Sequence, residues 1–132
     1  MFATYNNFGA SQFNQQLSFL GVNGSYTYDQ TYTLFVGLNQ INGTADAQLY
    51  SANSTFRPNS EFYTFELDYV PFGKTAGTGL STYMNLRFAL QYVAYTQFNG
   101  TGGAYSSAPD ANGQNRTASD NNTFYLNGWL IF

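Results

Sequence analysis

The sequence predicts an all-β fold, in which about five strands form an antiparallel up-and-down meander. Apolar and polar residues alternate with a period of two in five segments, as in strands whose two faces have different surroundings. The segments between them are rich in Gly, Asn, Ser, Thr and Ala, a composition typical of turns and loops. Because no helical pattern of useful length interrupts this order, we expect a fold built from strands.

The first two predicted strands cover residues 17–28 and 31–41, and a tight turn at Asp29 and Gln30 joins them. In both strands, large apolar residues recur at every second position. On one face of the first strand these are Leu20, Val22, Tyr26 and Tyr28, and on one face of the second they are Tyr32, Leu34, Val36 and Leu38. We therefore expect a hairpin with one strongly apolar face.

The other three predicted strands cover residues 62–70, 84–98 and 123–132. In the first of these, Glu66 and Asp68 lie on the face opposite four large apolar residues, which are Tyr63, Phe65, Leu67 and Tyr69. The second is long enough to cross a hydrocarbon layer when tilted, and it carries Leu86, Phe88, Leu90, Tyr92 and Ala94 on one face.

The predicted connections alternate between long and shorter segments. We expect residues 1–15 to form a loop that can include the end of a preceding strand, 42–60 and 99–121 to form long loops, and 72–83 to form a connection of medium length. In outer-membrane barrels the extracellular loops are long and the periplasmic turns are short. This asymmetry indicates that 42–60 and 99–121 are extracellular loops.

Composition and charge exclude several classes of function. The chain has no Cys and no His, so it offers no thiolate, no imidazole base and no zinc cluster of the usual kind. Four basic residues against seven acidic ones give a net charge of -3, which argues against binding to nucleic acid. We therefore expect a protein that is not an enzyme and that needs no cofactor.

The polarity of the strands favours a transmembrane β-barrel over a soluble β-sandwich. Only 8% of the residues are charged, and the three charges that we place within strands, Glu66, Asp68 and Arg87, all lie on the less apolar faces. Lipid would then cover the apolar face and a wet lumen the polar one. Aromatic residues near the strand ends would form two interfacial belts. One belt comprises Tyr26, Tyr28, Tyr32, Tyr69, Phe72, Tyr83 and Phe132, and the other Phe62, Tyr63, Tyr95, Phe98, Phe124 and Tyr125.

Four residues are candidates for a lumen-facing site: Glu66, Asp68, Arg87 and Gln91. They could form a charged patch that filters solutes by size and sign, or a structural ion pair in which opposite charges neutralise each other. Glycosidase chemistry would need two carboxylates that face each other across a sugar, which neighbours along one strand do not provide. We interpret Trp129 as a packing residue of the wall or the lumen.

The last nine residues, Phe124-Tyr125-Leu126-Asn127-Gly128-Trp129-Leu130-Ile131-Phe132, resemble the closing strand of Gram-negative outer-membrane β-barrel proteins of the porin-like type. That strand typically ends in Phe, with apolar residues at every second position before it. Phe124, Leu126, Leu130 and Phe132 match this pattern, whereas Gly128 departs from it. The resemblance implies that these four residues are a signal for the barrel-assembly machinery, and that outer-membrane lipid surrounds the protein. Some porin-like relatives sheathe multihaem cytochromes, which makes such a cytochrome a possible partner.

Five strands cannot close a barrel, because bacterial single-chain barrels have an even number of strands, eight or more. The first residues also lack the basic and apolar regions of a secretory signal. We therefore expect residues 1–132 to be a single unit, the C-terminal portion of a larger barrel whose remaining strands complete the wall. Three functions stay open: a passive solute channel or lumen scaffold of the bacterial outer membrane, a secreted β-sandwich binding module, and the sheath of a porin–cytochrome conduit.

Overall fold

The chain is all-β, and its strands form one antiparallel meander, which confirms the predicted fold class. In the computed structural model, residues 2–6, 15–51, 53–74, 84–103 and 115–132 are described. The strands are β1 (Phe2–Asn6), β2 (Gln16–Tyr28), β3 (Tyr32–Gly43), β4 (Ser60–Tyr69), β5 (Asn85–Gln97) and β6 (Thr123–Ile131). Their order in the sheet follows their order in the chain, and a short 3-10 helix at Ala118–Asn121 precedes β6.

Two predictions along the chain need correction. Residues 1–15 were expected to form a loop with at most the end of a preceding strand, and they were not counted among the five strands. Phe2–Asn6 forms β1, which pairs with β2 from Phe2↔Leu20 to Asn6↔Gln16. Five residues are too few for a clear alternating pattern, and it is pairing with the open edge of β2 that makes them a strand. In addition, β4 begins at Ser60, so Glu61 becomes a fourth charged residue within the strands.

Two tight turns have both central residues in the left-handed region of the backbone. Asp29 (φ 58°) and Gln30 (φ 54°) connect β2 to β3, and the Thr31 N–H donates to the Tyr28 carbonyl at 3.1 Å. Asn99 (φ 49°) and Gly100 (φ 92°) form the second turn, at the start of the predicted loop 99–121. Such turns match the right-handed twist of β-hairpins.

The described chain divides into two units. The first, which we call the loop unit, comprises Met1–Val22, Leu38–Tyr63 and Ala94–Asn122. The second, which we call the strand unit, comprises Asn23–Gly37, Thr64–Val93 and Thr123–Phe132. Among the described residues, no helix has both the length and the apolar character needed to span a membrane.

Burial is inverted relative to a water-soluble domain. Among the described residues, the only buried apolar ones are Ala89 and Ala118, whereas Gln15, Asp46, Asn53, Ser60 and Asp68 are all buried. Large apolar side chains are exposed along β2 to β6, and Leu126 reaches 77% exposure. A soluble domain normally buries its Leu, Phe and Val and exposes its Asp and Gln.

Candidate functional site

The strand unit brings together the four residues that the sequence predicts as a site. Arg87 Nη2 lies 3.0 Å from Glu66 Oε1 and 2.8 Å from Asp68 Oδ2. Gln91 Nε2 donates a hydrogen bond of 2.6 Å to Glu66 Oε2. The two carboxylates of β4 and the two nitrogen donors of β5 therefore form one connected cluster.

Strand geometry explains why these residues meet. Successive side chains of a strand point to opposite faces, so Glu66 and Asp68 share one face of β4, and Arg87 and Gln91 share one face of β5. Ala89 lies between Arg87 and Gln91 on that face and is 1% exposed. Because its side chain is a single methyl group, the longer side chains on either side of it can both reach Glu66.

The cluster is polar, mostly covered and unbalanced in charge. The side chains of Glu66 and Asp68 are 17% and 10% exposed, and that of Arg87 is 43% exposed. One guanidinium against two carboxylates leaves a formal charge of about -1 when all three groups are ionised. Asp68 Oδ1 is buried and has no hydrogen-bond partner among the described residues. Arg87 therefore neutralises only part of the negative charge that β4 carries.

Strand β6 adds two aromatic side chains that the sequence analysis did not place in the site. In the β5–β6 register, Arg87 pairs with Trp129 and Gln91 pairs with Tyr125. The Arg87 guanidinium carbon lies 4.6 Å from the centre of the Trp129 ring, a cation–π contact. Alternation assigns Trp129 to a face of β6, but only the register shows that it lies beside Arg87.

On the opposite face of the same strands the strand unit is apolar and exposed. On β4, Phe65 is 43% and Leu67 is 49% exposed, and their neighbours Glu66 and Asp68 are the covered residues. Tyr32 and Tyr69 stack with ring centres 5.2 Å apart. A shallow groove runs over this face. Its lining includes Glu66 and six apolar or aromatic residues, which are Leu34, Phe65, Leu67, Leu90, Tyr92 and Phe124.

Three of the four residues predicted as the assembly signal belong to this apolar face, and Phe132 follows the end of β6. Phe124, Leu126 and Leu130 pair with Tyr92, Leu90 and Leu86 of β5. All four predicted residues are exposed, by 63% (Phe124), 77% (Leu126), 52% (Leu130) and 97% (Phe132). At Gly128, where the resemblance is imperfect, the register places the ring of Phe88 opposite the glycine.

The predicted second aromatic belt does not lie on one face. Phe62 and Tyr63 are consecutive on β4, so their side chains point to opposite faces. Phe62 packs against Tyr95 at 5.1 Å between ring centres, and Tyr95 packs against Phe98 at 5.2 Å. The sequence prediction grouped these rings by position along the strands and did not separate the faces. Of the first belt, Tyr83 lies outside the described residues.

The loop unit holds a second polar network, which the sequence analysis missed. Gln15 Nε2 donates to Asp46 Oδ2 at 3.1 Å, and the Thr44 hydroxyl donates to Gln15 Oε1. Asp46 Oδ1 accepts from the backbone N–H groups of Gln48 and Leu49 at 2.8 and 3.0 Å. Each partner lies in a loop or at a strand end, where no periodic pattern marks it.

Glu61 occupies a different position from the other strand carboxylates. Its place in the alternation puts it on the face of β4 that carries Tyr63. There Glu61 Oε1 accepts a hydrogen bond of 2.9 Å from Gln40 Nε2. Glu61 is therefore a strand charge on the more apolar face. The sequence analysis did not place it within a strand, because the predicted strand began two residues later.

The described residues form no metal centre, and no relative of the chain was found. Within the described part of the chain, no group of three or more His, Cys, Asp or Glu side chains is arranged to hold a metal ion. Comparisons of the chain with family models, curated proteins and solved structures found no match.

Proposed function

We propose that this chain forms part of the wall of a porin-like β-barrel in the bacterial outer membrane, through which small solutes pass passively. The observation that carries this proposal is the inverted burial of β4. Along this strand Tyr63, Phe65 and Leu67 are exposed, whereas Glu66 and Asp68 between and beside them are covered.

An exposed apolar face of this kind is energetically favourable when lipid, and not water, surrounds it. Leaving a Leu or Phe side chain in water rather than burying it costs about 1.5–3 kcal/mol. The strand unit repeats this exposure on four strands, at Leu34, Leu67, Leu90 and Leu126. In a bilayer the same side chains contact acyl chains at no such cost, while the sheet pairs the backbone polar groups that lipid cannot satisfy.

In this proposal the cluster of Glu66, Asp68, Arg87 and Gln91 lines the lumen. The sequence left two alternatives for this cluster, a structural ion pair and a charged patch that filters solutes. In this proposal both hold, because the ion pairs of Arg87 leave part of the negative charge uncompensated. Arg87 compensates the two carboxylates, and the residual charge of about -1 favours cations over anions in the channel. Passage needs no covalent chemistry, so the residues act through size, charge and hydrogen bonding.

Further strands must complete the wall in this proposal. The described residues contribute six strands in which β1 and β6 are the two edges, and unpaired edge groups cost several kcal/mol each in lipid. Outer-membrane lipid, the barrel-assembly machinery and the remaining strands of the barrel are therefore the proposed partners.

Spin labels on single cysteines test which face meets lipid. The chain contains no Cys, so Leu67→Cys and Gln91→Cys each give one unambiguous label site. In reconstituted membranes we expect the Leu67 label to collide more with oxygen than with a water-soluble nickel chelate, because oxygen partitions into lipid. We expect the opposite order for the Gln91 label, which would face the wet lumen.

The same labels separate the barrel from a soluble sandwich. In a sandwich the Leu67 label would be shielded from both reagents, since a second sheet would cover it. Leu126→Cys serves as a matched second site on the apolar face, where the native side chain is 77% exposed. Loss of oxygen preference at both Leu67 and Leu126 would contradict the proposal.

A further inference from the structure

We propose that Asn59 protects Asn42 and Asn99 from spontaneous deamidation, because it holds the backbone nitrogen of the glycine that follows each of them. In this reaction the glycine nitrogen forms a bond to Cγ of the asparagine, the Cγ–Nδ2 bond breaks, and ammonia leaves with the proton of the glycine N–H. Water then opens the cyclic imide to aspartate or isoaspartate. Asn-Gly is the sequence most prone to this reaction, because glycine has no Cβ to hinder the attack.

The chain contains five Asn-Gly pairs, at residues 23–24, 42–43, 99–100, 112–113 and 127–128. The pairs 23–24 and 127–128 lie within β2 and β6, and 112–113 lies outside the described residues. The pair 42–43 ends β3, and 99–100 forms the tight turn after β5. Strand ends and turns give the backbone more freedom than a strand interior does. Among the described residues, these two pairs therefore need tertiary contacts for their protection.

Close packing requires glycine in both of these pairs. A Cβ at Gly43 would overlap the Pro58 ring. A Cβ at Gly100, whose φ is 92°, would overlap the Thr55 side chain. Another residue in place of either glycine would thus strain the loop unit. The fold keeps two reactive sequences, and their reaction has to be suppressed by other means.

A single residue holds both glycine nitrogens. The Gly43 N–H donates a hydrogen bond of 2.9 Å to Asn59 Oδ1. The Gly100 N–H donates one of 2.7 Å to the backbone carbonyl of Asn59. Both distances are those of well-formed hydrogen bonds. Until such a bond breaks, the glycine nitrogen keeps its proton and cannot turn toward Cγ of the preceding asparagine.

The carbonyl oxygen of each Asn-Gly peptide bond is held as well. The Ser18 hydroxyl donates to the Asn42 carbonyl at 3.2 Å, and the Thr55 hydroxyl donates to the Asn99 carbonyl at 2.6 Å. All of these residues belong to the loop unit. Because each peptide group is fixed on both sides, attack on the asparagine side chain requires local opening of this unit.

Deamidation rates of individual asparagines test the proposal. The protein in detergent micelles and the protein unfolded in urea are incubated at the same pH and temperature, and peptide mass spectrometry follows the conversion of each amide to an acid. We expect Asn42 and Asn99 to react about a hundredfold more slowly in the folded protein, because two hydrogen bonds, each equivalent to about a tenfold change in rate, must break at each site. Equal rates in the two states would overturn the proposal.

Mutation separates the two acceptors of Asn59. Asn59→Ala removes Oδ1 but keeps the backbone carbonyl. In the folded variant we therefore expect deamidation of Asn42 to accelerate about tenfold and that of Asn99 to stay unchanged. Asn59→Asp is the matched control, because it retains a side-chain oxygen at this position and should leave both rates close to those of the wild type.

Thr55→Val provides the converse test. It removes the hydroxyl that holds the Asn99 carbonyl and keeps most of the side-chain volume, so only the rate at Asn99 should rise. If Asn59→Ala does not fold, Asn59→Leu replaces it with the same expectation, since leucine fills the space but offers no acceptor. An unchanged rate at Asn42 in the Asn59 variant would overturn the proposal. Acceleration of both asparagines in that variant would also overturn it, because the loops would then loosen as a whole.

Discussion

The loop unit and the strand unit both cover polar side chains, but they satisfy them in different ways. In the loop unit, Asp46 is 2% exposed, and both of its oxygens accept hydrogen bonds, two of them from the backbone. In the strand unit, Asp68 is similarly covered, yet one oxygen has no partner among the described residues. Backbone donors fix a loop, whereas an incompletely compensated charge on a strand face leaves capacity for a ligand or an ion. The first network is therefore structural, and the second is the candidate for function.

The largest effect is expected from Asp46→Ala in the loop unit. This change removes the acceptor for Gln15 and for the amides of Gln48 and Leu49. Losing charged hydrogen bonds and leaving their donors unpaired should reduce the free energy of local opening by about 3 kcal/mol. Hydrogen exchange of the Gln48 and Leu49 amides measures that loss.

Asp46→Asn is the matched control for this variant. It retains one carbonyl oxygen for the two backbone amides, but it loses the charge and the oxygen that accepts from Gln15, so we expect a smaller loss of protection at Gln48 and Leu49 than in Asp46→Ala. If Asp46→Ala left the exchange of both amides unchanged, the loop unit would not depend on this network, and the contrast with the strand unit would fail.

A somewhat smaller effect is expected from Arg87→Gln in the strand unit. The change leaves Glu66 and Asp68 close together without a cation, and removing one partner of a buried pair costs 3–5 kcal/mol. Because the Arg87 side chain is 43% exposed, water compensates part of this cost, and we expect about 2 kcal/mol of the free energy of unfolding to be lost. Urea unfolding in detergent micelles gives the value.

A neutral triple variant shows whether charge is the cause. In Glu66→Gln, Asp68→Asn and Arg87→Gln combined, no charge remains without a partner, and most of the stability should return. If the triple variant were as unstable as Arg87→Gln alone, the loss would come from the missing contact between Arg87 and Trp129 instead.

The contrast between the units also explains what the sequence could predict. The strand unit was largely predictable, because alternation with a period of two assigns Glu66, Asp68, Arg87 and Gln91 to faces without knowledge of the fold. Trp129 was not assigned to the site, since its neighbour depends on the register between β5 and β6. The register is a property of two paired strands, and the alternating pattern of a single strand does not determine it.

The loop unit was not predictable for a different physical reason. Its buried residues are held by contacts between distant parts of the chain, such as Gln15 with Asp46 and Ser60 with Asn99. These contacts follow no sequence period. A solvated loop is also rich in Gln, Asn, Ser and Thr, so composition does not distinguish it from a buried polar network. Only the tertiary structure distinguishes the two cases.

The smallest change in the free energy of unfolding is expected at the tight turns, which differ in sequence between the two units. The loop unit uses Asn99-Gly100, the sequence that suits two left-handed residues, whereas the strand unit uses Asp29-Gln30. A non-glycine residue in the left-handed region destabilises the folded state by about 1–2 kcal/mol. Glycine avoids this cost, but it also increases the conformational entropy of the unfolded chain, which offsets part of the gain. Gln30→Gly should therefore raise the free energy of unfolding by about 0.5 kcal/mol.

In Gln97→Gly, the matched control on β5, the same substitution brings only the entropic cost of glycine, so urea unfolding should show opposite signs for the two variants. Destabilisation by both would mean that the side chain of Gln30, and not its backbone, determines the stability of this turn.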